Sequence, residues 1–307
     1  MDLKQWEEVP VKNFGHVFSD GGAADIPFRD DCDKVFAMNL SARLGFSCGV
    51  DVLCQEVIET HLHSVIHGEP DNCRHYVAEL HRQLICHYKR AGKADLLGKG
   101  LFVNILPIET RTSLMNRIVY VMRQVLDTGY PYLPQDYHFG PGNIYLVSEE
   151  TIRANRAAGG AIRRIGDMRY RERYMLFRTH VRLPEDWLVD ESGLILPSCY
   201  LRYDMVNDLF KTPRSFIAFL HIKKDNDEQI RQLCRRRQIE SLTLKDLREK
   251  AEALCRSWLG KSLRQASVTE RLKTASRMIR DGYAFQSAAL AKAVFLSPED
   301  LSDLLHR

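Results

Sequence analysis

Apolar residues between Val50 and Arg90 recur at helical spacing in two stretches. The first stretch places five of them along one side of a helix: Leu53, Val57, Leu62, Val65 and Ile66. The sequence Gly-Glu-Pro at positions 68–70 ends that period, and Asp71 can cap a second helix that continues to about Arg90. This pattern predicts a helical hairpin over residues 50–90.

The segments around this predicted hairpin differ in regularity. Residues 1–34 are interrupted by glycines and a proline among many acidic residues, so we expect a loosely structured start. Residues 101–106 form a short apolar run that predicts a strand, and a long amphipathic helix should follow to about Leu126. Three prolines and two glycines fall within residues 130–142, which predicts a loop and a domain boundary.

Beyond that loop, short apolar runs come first and helical periods follow. The candidate strands are residues 144–147, 174–183, 194–196 and 216–222. From Asn226 onward the spacing predicts helices at roughly 226–237, 243–258, 267–281, 286–295 and 298–306. The chain is therefore predicted to be α+β and predominantly helical, with a helical N-terminal domain (residues 1–140) and a basic α+β domain (residues 141–307).

Composition limits the class of protein and its expected location. Of the 307 residues 45% are apolar and 27% are charged, which is enough apolar material for a packed core. The first residues lack the basic-then-apolar order of a signal peptide, and no apolar run approaches the roughly 18 residues of a membrane span. We expect a cytoplasmic protein without membrane contact. None of the eight cysteines forms a Cys-x-x-Cys pair, which predicts reduced and mostly buried thiols.

The net charge of +4 hides an uneven distribution. Residues 1–150 hold 14 Lys and Arg against 20 Asp and Glu, a balance of −6, whereas residues 151–307 hold 30 against 20, a balance of +10. Such a division predicts different partners for the two halves, with a polyanion meeting the basic one.

Arginines concentrate just after the proline-rich loop. Nine of them fall between positions 153 and 182: Arg153, Arg156, Arg163, Arg164, Arg169, Arg171, Arg173, Arg178 and Arg182. Only Asp167 and Glu172 oppose them there, and Tyr170, Tyr174 and Phe177 lie between them. Guanidinium groups bind phosphate oxygens at two points and displace condensed counterions, so this stretch predicts DNA binding. An internal network with carboxylates of the acidic half is the alternative.

A second basic cluster lies in an ordered pattern of predicted elements. The run from Arg214 to Lys224 reads as a strand, a helix follows it, and the hydroxyls of Ser241 and Thr243 stand at the start of another helix. Over residues 214–259 this order of strand, helix, short loop and capped helix resembles a ribbon-helix-helix DNA-binding unit.

The resemblance implies a homodimer whose paired strands enter the major groove of double-stranded DNA. It implies base contacts from His221 and Lys223, and phosphate contacts from Ser241, Thr243 and Lys245 at the second helix N-terminus. The other basic residues of the unit would add phosphate contacts: Arg214, Lys224, Arg231 and Arg235. Such units serve transcriptional regulators of plasmids and other mobile elements.

Two features of the sequence favour other interpretations of the basic C-terminal half. Ile217 and Phe219 share the face with His221 and Lys223, and apolar residues there suit an internal strand of an ordinary α+β core. Residues 289–305 look like a helix-turn-helix, but Phe295 stands at the turn and the second helix is acidic. We read that segment as a hairpin for packing or protein contact.

Six histidines fall within positions 61–87: His61, His63, His67, His75, His81 and His87. On a helix, Glu59, His63 and His67 would share one side and could bind zinc with a further ligand. The segment has no His-Glu-x-x-His pattern, so we predict no metal. No Walker loop, dinucleotide-binding pattern or Gly-x-Ser-x-Gly elbow occurs, and we predict no cofactor.

These observations together predict a non-enzymatic, sequence-specific DNA-binding regulator. Two alternatives stay open. One is an assembly or replication-accessory protein whose basic face contacts nucleic acid or an acidic protein. The other is an enzyme, for which the histidine-rich segment is the place to look.

Overall fold

A computed structural model of the chain describes residues 9–19, 26–97, 101–128, 130–158, 162–221, 227, 230–232, 234, 244–280, 287–297 and 300–301. Strands and helices alternate through its first part in the order βαββαβ. The elements are β1 (Pro10–Ser19), α1 (Asp31–Cys48), β2 (Asp51–Val57), β3 (Leu62–His67), α2 (Pro70–Arg90) and β4 (Val103–Thr110). The strands form one antiparallel sheet in the order β2-β3-β1-β4, a ferredoxin-like arrangement.

The register of the two central strands decides which side chains share a face. His16 of β1 pairs with Val65 of β3, and Phe18 pairs with His63, so these four side chains lie on one face. The intervening positions face the other way. Gly15 is one of these, and a Cβ there would lie only 2.5 Å from Ile105 Cδ1 on β4, so close strand packing requires glycine.

Both faces of the sheet are covered by helices. On one face α1 and α2 pack together, and the buried Tyr76 hydroxyl of α2 forms a hydrogen bond with Ser41 of α1. The other face carries α3 (Arg111–Met122), where the Cys54 thiol of β2 donates to the Ile118 carbonyl at 3.8 Å. Coverage on both sides explains why β2 and β3 are buried at nearly every position.

Helix α3 begins at a hydroxyl cap. Thr110 has extended backbone, and its Oγ1 accepts a hydrogen bond from the Ser113 amide at 3.2 Å. We expect Thr110→Ala to lower the free energy of unfolding by about 1 kcal/mol, because one amide at the helix start loses its partner. Urea unfolding of the variant measures this loss. Thr110→Ser keeps the acceptor and should retain most of the stability; equal losses in both variants would contradict the capping role.

Residues after α3 pack largely on the same core. Their elements are α4 (Glu149–Ala158), β5 (Arg163–Arg164), α5 (Tyr170–Phe177), β6 (Leu188–Val189), α6 (Pro197–Tyr200), α7 (Tyr203–Phe210) and α8 (Pro213–His221), with single 3-10 turns at Gln124–Asp127, Pro134–Asp136 and Ile165–Asp167. A further 3-10 turn, Ala94–Leu97, precedes β4. The main core joins residues from both sides of the proline-rich loop, including Val17, Tyr145 and Phe216.

The C-terminal helices build a separate hydrophobic cluster. They are α9 (Leu244–Leu259), α10 (Val268–Arg280) and α11 (Ser287–Ala293). Leu247, Cys255, Met278, Leu290 and Leu301 are buried together in this cluster. Across the described ranges, no helix combines the length and apolar character needed to cross a bilayer.

The α+β class is confirmed, and the predicted strand at residues 101–106 overlaps β4, but the other strands of the sheet are not where the sequence pattern placed them. The four-stranded sheet lies in the part that was predicted to be helical, and residues 51–57 and 62–67 form strands instead of the first helix of a hairpin. Because that hairpin is covered on both faces, its apolar residues do not alternate, and their spacing mimics a helix. The start is also ordered, since β1 and α1 occupy most of residues 10–48.

Two strands predicted in the basic half are helices. Residues 170–177 form α5, and α8 covers Pro213–His221, so the ribbon strand expected from Arg214 to Lys224 is absent from the described residues. The start of α8 explains the error: Thr212 Oγ1 accepts from the Ser215 amide at 3.2 Å, and Pro213 occupies the first turn. This is a helix N-terminus signal that the apolar run concealed.

Candidate functional site

The arginine-rich stretch folds as a small unit on α1. The β5–β6 pair, α5 and the loops between them enclose their own buried cluster, formed by Ile165, Met168, Phe177, Leu183, Trp187, Val189 and Ile195 together with Ala42 of α1. The apolar residues point inward, which leaves the arginines of the same segment at the surface.

Most of these arginines keep their charge available. Arg163 pairs with Glu172, with Nη1 and Oε1 2.5 Å apart, and Arg182 pairs with Glu185. No ion pair within the described part of the chain engages four others: Arg164, Arg169, Arg171 and Arg173. The first three are exposed and Arg173 is half-buried. This segment therefore presents several of the candidate DNA contacts to solvent.

The other predicted contacts lie on other elements or outside the described residues. Arg214 and His221 are exposed near opposite ends of α8, and Lys245 is exposed near the start of α9. The remaining candidates Lys223, Lys224, Arg235, Ser241 and Thr243 lie outside the described residues. Arg231 is half-buried and lies within hydrogen-bonding reach of the Tyr120 phenol.

That tyrosine belongs to a buried polar cluster beneath α3. His16 of β1 and His63 of β3 form a hydrogen bond between Nε2 and Nδ1 at 3.0 Å. The Tyr120 ring stands edge-on to both imidazoles, with ring centroids 5.8 Å from His16 and 5.3 Å from His63. All three side chains are at most 4% exposed, so the sheet and α3 bring a phenol and two imidazoles together out of water.

Two further polar side chains border this cluster. His61 lies just before β3, with its ring centroid 4.8 Å from that of His63. Its Nε2 is 3.1 Å from Gln124 Oε1, just beyond the end of α3. The Gln124 amide nitrogen donates to the Tyr120 carbonyl at 2.9 Å, which fixes the amide oxygen toward His61. Two imidazoles and one oriented amide oxygen therefore lie side by side.

The hydrogen-bond directions within the cluster follow from Arg117. Its Nη1 lies 3.3 Å from His16 Nδ1, and a guanidinium can only donate, so that ring nitrogen accepts. His16 then carries its hydrogen on Nε2 and donates to His63. Burial, with the positive charge of Arg117 nearby, holds the pKa of His16 well below its usual value, and burial does the same for His63. Both imidazoles are neutral.

A buried carboxyl group adjoins the cluster from β2. Glu56 pairs with His63 across the strands, and its Oε1 accepts from the Val125 amide at 2.7 Å. Burial raises the pKa of Glu56 well above its usual value, which favours the protonated form. Among the described residues its Oε2 has no hydrogen-bond partner. Asp227 is a carboxylate that faces Tyr120, and it is paired with Arg123.

The cluster is closed from above. Ile230 and Cys234 pack against Phe18 and Tyr120, which leaves the phenol 3% exposed. Arg123 fixes this cover: its Nε donates to Asp227 at 2.9 Å, and its Nη1 donates to the Phe219 and Leu220 carbonyls at 3.0 and 3.1 Å. Arg123 therefore ties the cover to α8 and to Asp227.

The sequence prediction missed this site. Glu59, His63 and His67 do not form the ligand set expected of a helix, because His63 and His67 lie on a strand and Glu59 instead accepts from the Tyr130 hydroxyl. The available signal was the alternation His61, Leu62, His63, which places both imidazoles on one side of a strand. A second signal was Tyr120 and Gln124, four residues apart at the end of a helix.

No family model matches the chain, and neither a curated protein nor a solved structure matches it.

Proposed function

We propose that the protein acts on DNA by phosphodiester transfer, with Tyr120 as the nucleophile. The observation that supports this most directly is the convergence of the Tyr120 phenol, two neutral imidazoles and the oriented Gln124 amide on one face of the sheet. Burying polar groups costs free energy, and titratable groups with perturbed pKa values cluster at functional sites.

The charges around the phenol favour a phosphate ester as substrate. Arg117, Arg123 and Arg231 all lie within or beside the cluster, and burial favours the neutral form of Glu56. Arg123 is paired with the Asp227 carboxylate of the cover, so its charge would stabilise the anionic transition state of phosphoryl transfer once that carboxylate moves away. The exposed arginines of residues 163–173 would hold the rest of the DNA strand by its phosphates.

Phosphodiester transfer at Tyr120 exchanges one ester bond for another. Tyr120 Oη attacks the phosphorus of one phosphodiester, forming an Oη–P bond while one P–O ester bond breaks. The phenol proton leaves to water that enters when the cover opens, because the acceptor nitrogens of His16 and His63 are already engaged. The departing hydroxyl takes up a proton from water. The result is a covalent tyrosyl-DNA ester and a free strand end, and attack by that end reverses the step. Tyrosine is an established covalent nucleophile of this kind.

His61, His63 and Gln124 are suited to hold a divalent cation beside the phenol. In the described part of the chain no three His, Cys, Asp or Glu side chains form a metal-binding group, so the third ligand here is an amide oxygen. Amide oxygens and imidazoles together suit Mn²⁺ or a similar ion, which would neutralise charge on the transferring phosphate. Binding through His63 Nε2 requires its hydrogen on Nδ1, so Arg117 would have to release His16.

The test is a covalent trap. The full chain is incubated with a random-sequence pool of single-stranded oligonucleotides, labelled at either end in separate reactions, with Mn²⁺ or with EDTA. We expect a labelled protein band that survives denaturing electrophoresis, needs Mn²⁺ and disappears after nuclease-free proteolysis. The end label that is retained identifies the bond that breaks. A chain that forms no such adduct under any of these conditions would overturn the proposal.

The metal ligands make a separate prediction. We expect Gln124→Ala to weaken Mn²⁺ binding by about tenfold or more, because the amide oxygen is lost. Gln124→Glu supplies a charged oxygen at the same position and should bind at least as tightly as the original chain. Isothermal titration calorimetry with Mn²⁺ measures both. Equal affinities in the alanine and original chains would show that Gln124 is not a ligand.

A DNA-binding regulator without catalysis is the second candidate. The exposed, unpaired side chains of Arg164, Arg169 and Arg171 favour it, since they need no chemistry to bind duplex DNA. A homodimer that regulates transcription on a mobile element would belong to this class. Duplex binding that weakens steeply with salt, in a chain that forms no covalent adduct, would favour it over phosphodiester transfer.

A further inference from the structure

An exposed set of aromatic rings lies on the arginine-rich unit. Tyr170 and Tyr174, one turn apart on α5, are 60% and 37% exposed, and their ring planes differ by 18°. His180 from the following loop lies 4.8 Å from the Tyr174 ring, and its Nδ1 is 2.8 Å from the Tyr170 hydroxyl. We call these three side chains the aromatic platform. Its members hold one another in place while flat ring surface stays open to solvent.

The platform borders a basic cleft. A hollow of about 1200 Å³ separates α1 and α2 from residues 174–180, and its lining includes Arg43, Arg82, Arg90 and Arg178. Asp31 is the one carboxylate among the residues that line it. A second hollow of about 450 Å³, lined by all three rings, includes Arg173 and Arg182. Arginines therefore line both hollows beside the rings, with Arg82 paired to Glu79 and Arg182 paired to Glu185.

We propose that the aromatic platform and its cleft bind single-stranded DNA. Unpaired bases would stack on Tyr170, Tyr174 and His180, and the phosphates would lie against the flanking arginines. Every base has a flat face, so stacking on aromatic side chains combined with a positively charged groove holds single strands with little sequence preference. In a duplex those faces are already stacked and cannot reach the rings.

This inference deepens the proposed function, because it supplies the single strand that a buried phenol would cut. It rests on the proposed function only for the choice of DNA as the polymer. Binding at the platform needs neither the Tyr120 hydroxyl nor a metal ion, so the two proposals can be tested apart.

The test measures affinity without chemistry. Fluorescence anisotropy follows a labelled oligothymidine, its duplex with oligoadenine and a matching oligouridine, all in EDTA. Replacing both rings (Tyr170→Ala with Tyr174→Ala) should weaken oligothymidine binding by about 10- to 100-fold, and duplex binding by much less. Tyr132→Ala removes another tyrosine, 47% exposed, and should bind like the original chain. Tyr120→Phe should also bind normally.

Several outcomes would overturn the inference. These are an unchanged affinity in the double variant, an equal loss for the duplex, or a clear preference for oligouridine, which would indicate RNA instead. Circular dichroism of the double variant confirms that it is folded, as its exposed side chains lead us to expect. Loss of covalent adducts in Tyr120→Phe with unchanged oligothymidine binding would be consistent with the aromatic platform as the binding site. Normal adduct formation in the double variant would be consistent with Tyr120 as the nucleophile and would count against the platform.

Discussion

Tyr120→Phe should abolish covalent adduct formation with single-stranded DNA while leaving the protein folded and able to bind DNA. The substitution removes only the phenolic oxygen, which is the atom that forms the bond to phosphorus. Loss of a nucleophile typically lowers the rate by about 10³-fold or more. The ring that packs against His16, His63, Ile230 and Cys234 is kept, so stability should change by only about 1 kcal/mol.

A matched control separates the nucleophile from a general effect of removing a hydroxyl. Tyr132→Phe changes an exposed tyrosine outside the cluster and should form adducts at the original rate. The adduct peptide, recovered by proteolysis and mass spectrometry, should contain Tyr120. Adducts that persist in Tyr120→Phe, or that map to another tyrosine, would contradict the assignment.

Arg123→Ala should release the cover from the buried cluster. Arg123 and Asp227 are about one-tenth exposed, and the same guanidinium holds two carbonyls of α8. Removing one member of such a buried pair leaves the other charge without compensation and costs about 3–4 kcal/mol here, because both side chains keep some exposure. If that loss falls on the cover alone, its open form becomes about 10²- to 10³-fold more populated.

Thiol labelling reports that opening at a single position. Cys234 is buried against Tyr120 in the closed form, and burial raises the pKa of its thiol to about 11. Native-state alkylation followed by peptide mapping should show Cys234 reacting about 10²- to 10³-fold faster in Arg123→Ala. Cys54 in the main core and Cys255 in the C-terminal cluster are internal controls. Parallel acceleration of Cys54 would indicate global unfolding, and unchanged Cys234 labelling would show that Arg123 does not hold the cover.

Local sequence signals predicted several elements correctly. The Gly-Glu-Pro break places Pro70 in the first turn of α2, and the apolar period through Tyr76, Leu80 and Leu84 is the buried side of that helix. Periodicity also found α3 and the described helices after Leu244. In each case one face of a helix is buried and the other faces solvent, so the pattern can be read without knowing its partners.

Apolar periodicity did not identify the elements that are covered on both sides. Residues 31–48 form a helix with twelve buried positions, including Asp33, Asn39 and Arg43, and such a helix shows no polar stripe. Residues 51–67 carry apolar side chains on both faces of the sheet, so their spacing resembled a helix. Burial on all sides removes the alternation that identifies an element.

The sequence by itself determined the amphipathic helices, the uneven charge and the concentration of arginines after residue 150, because composition and spacing record them directly. Only the tertiary structure decided that His16, His63, Tyr120 and Gln124 meet, since strand register and the packing of α3 join positions up to 108 residues apart. Charge is a property of the residues, whereas a site depends on distances that the fold alone sets.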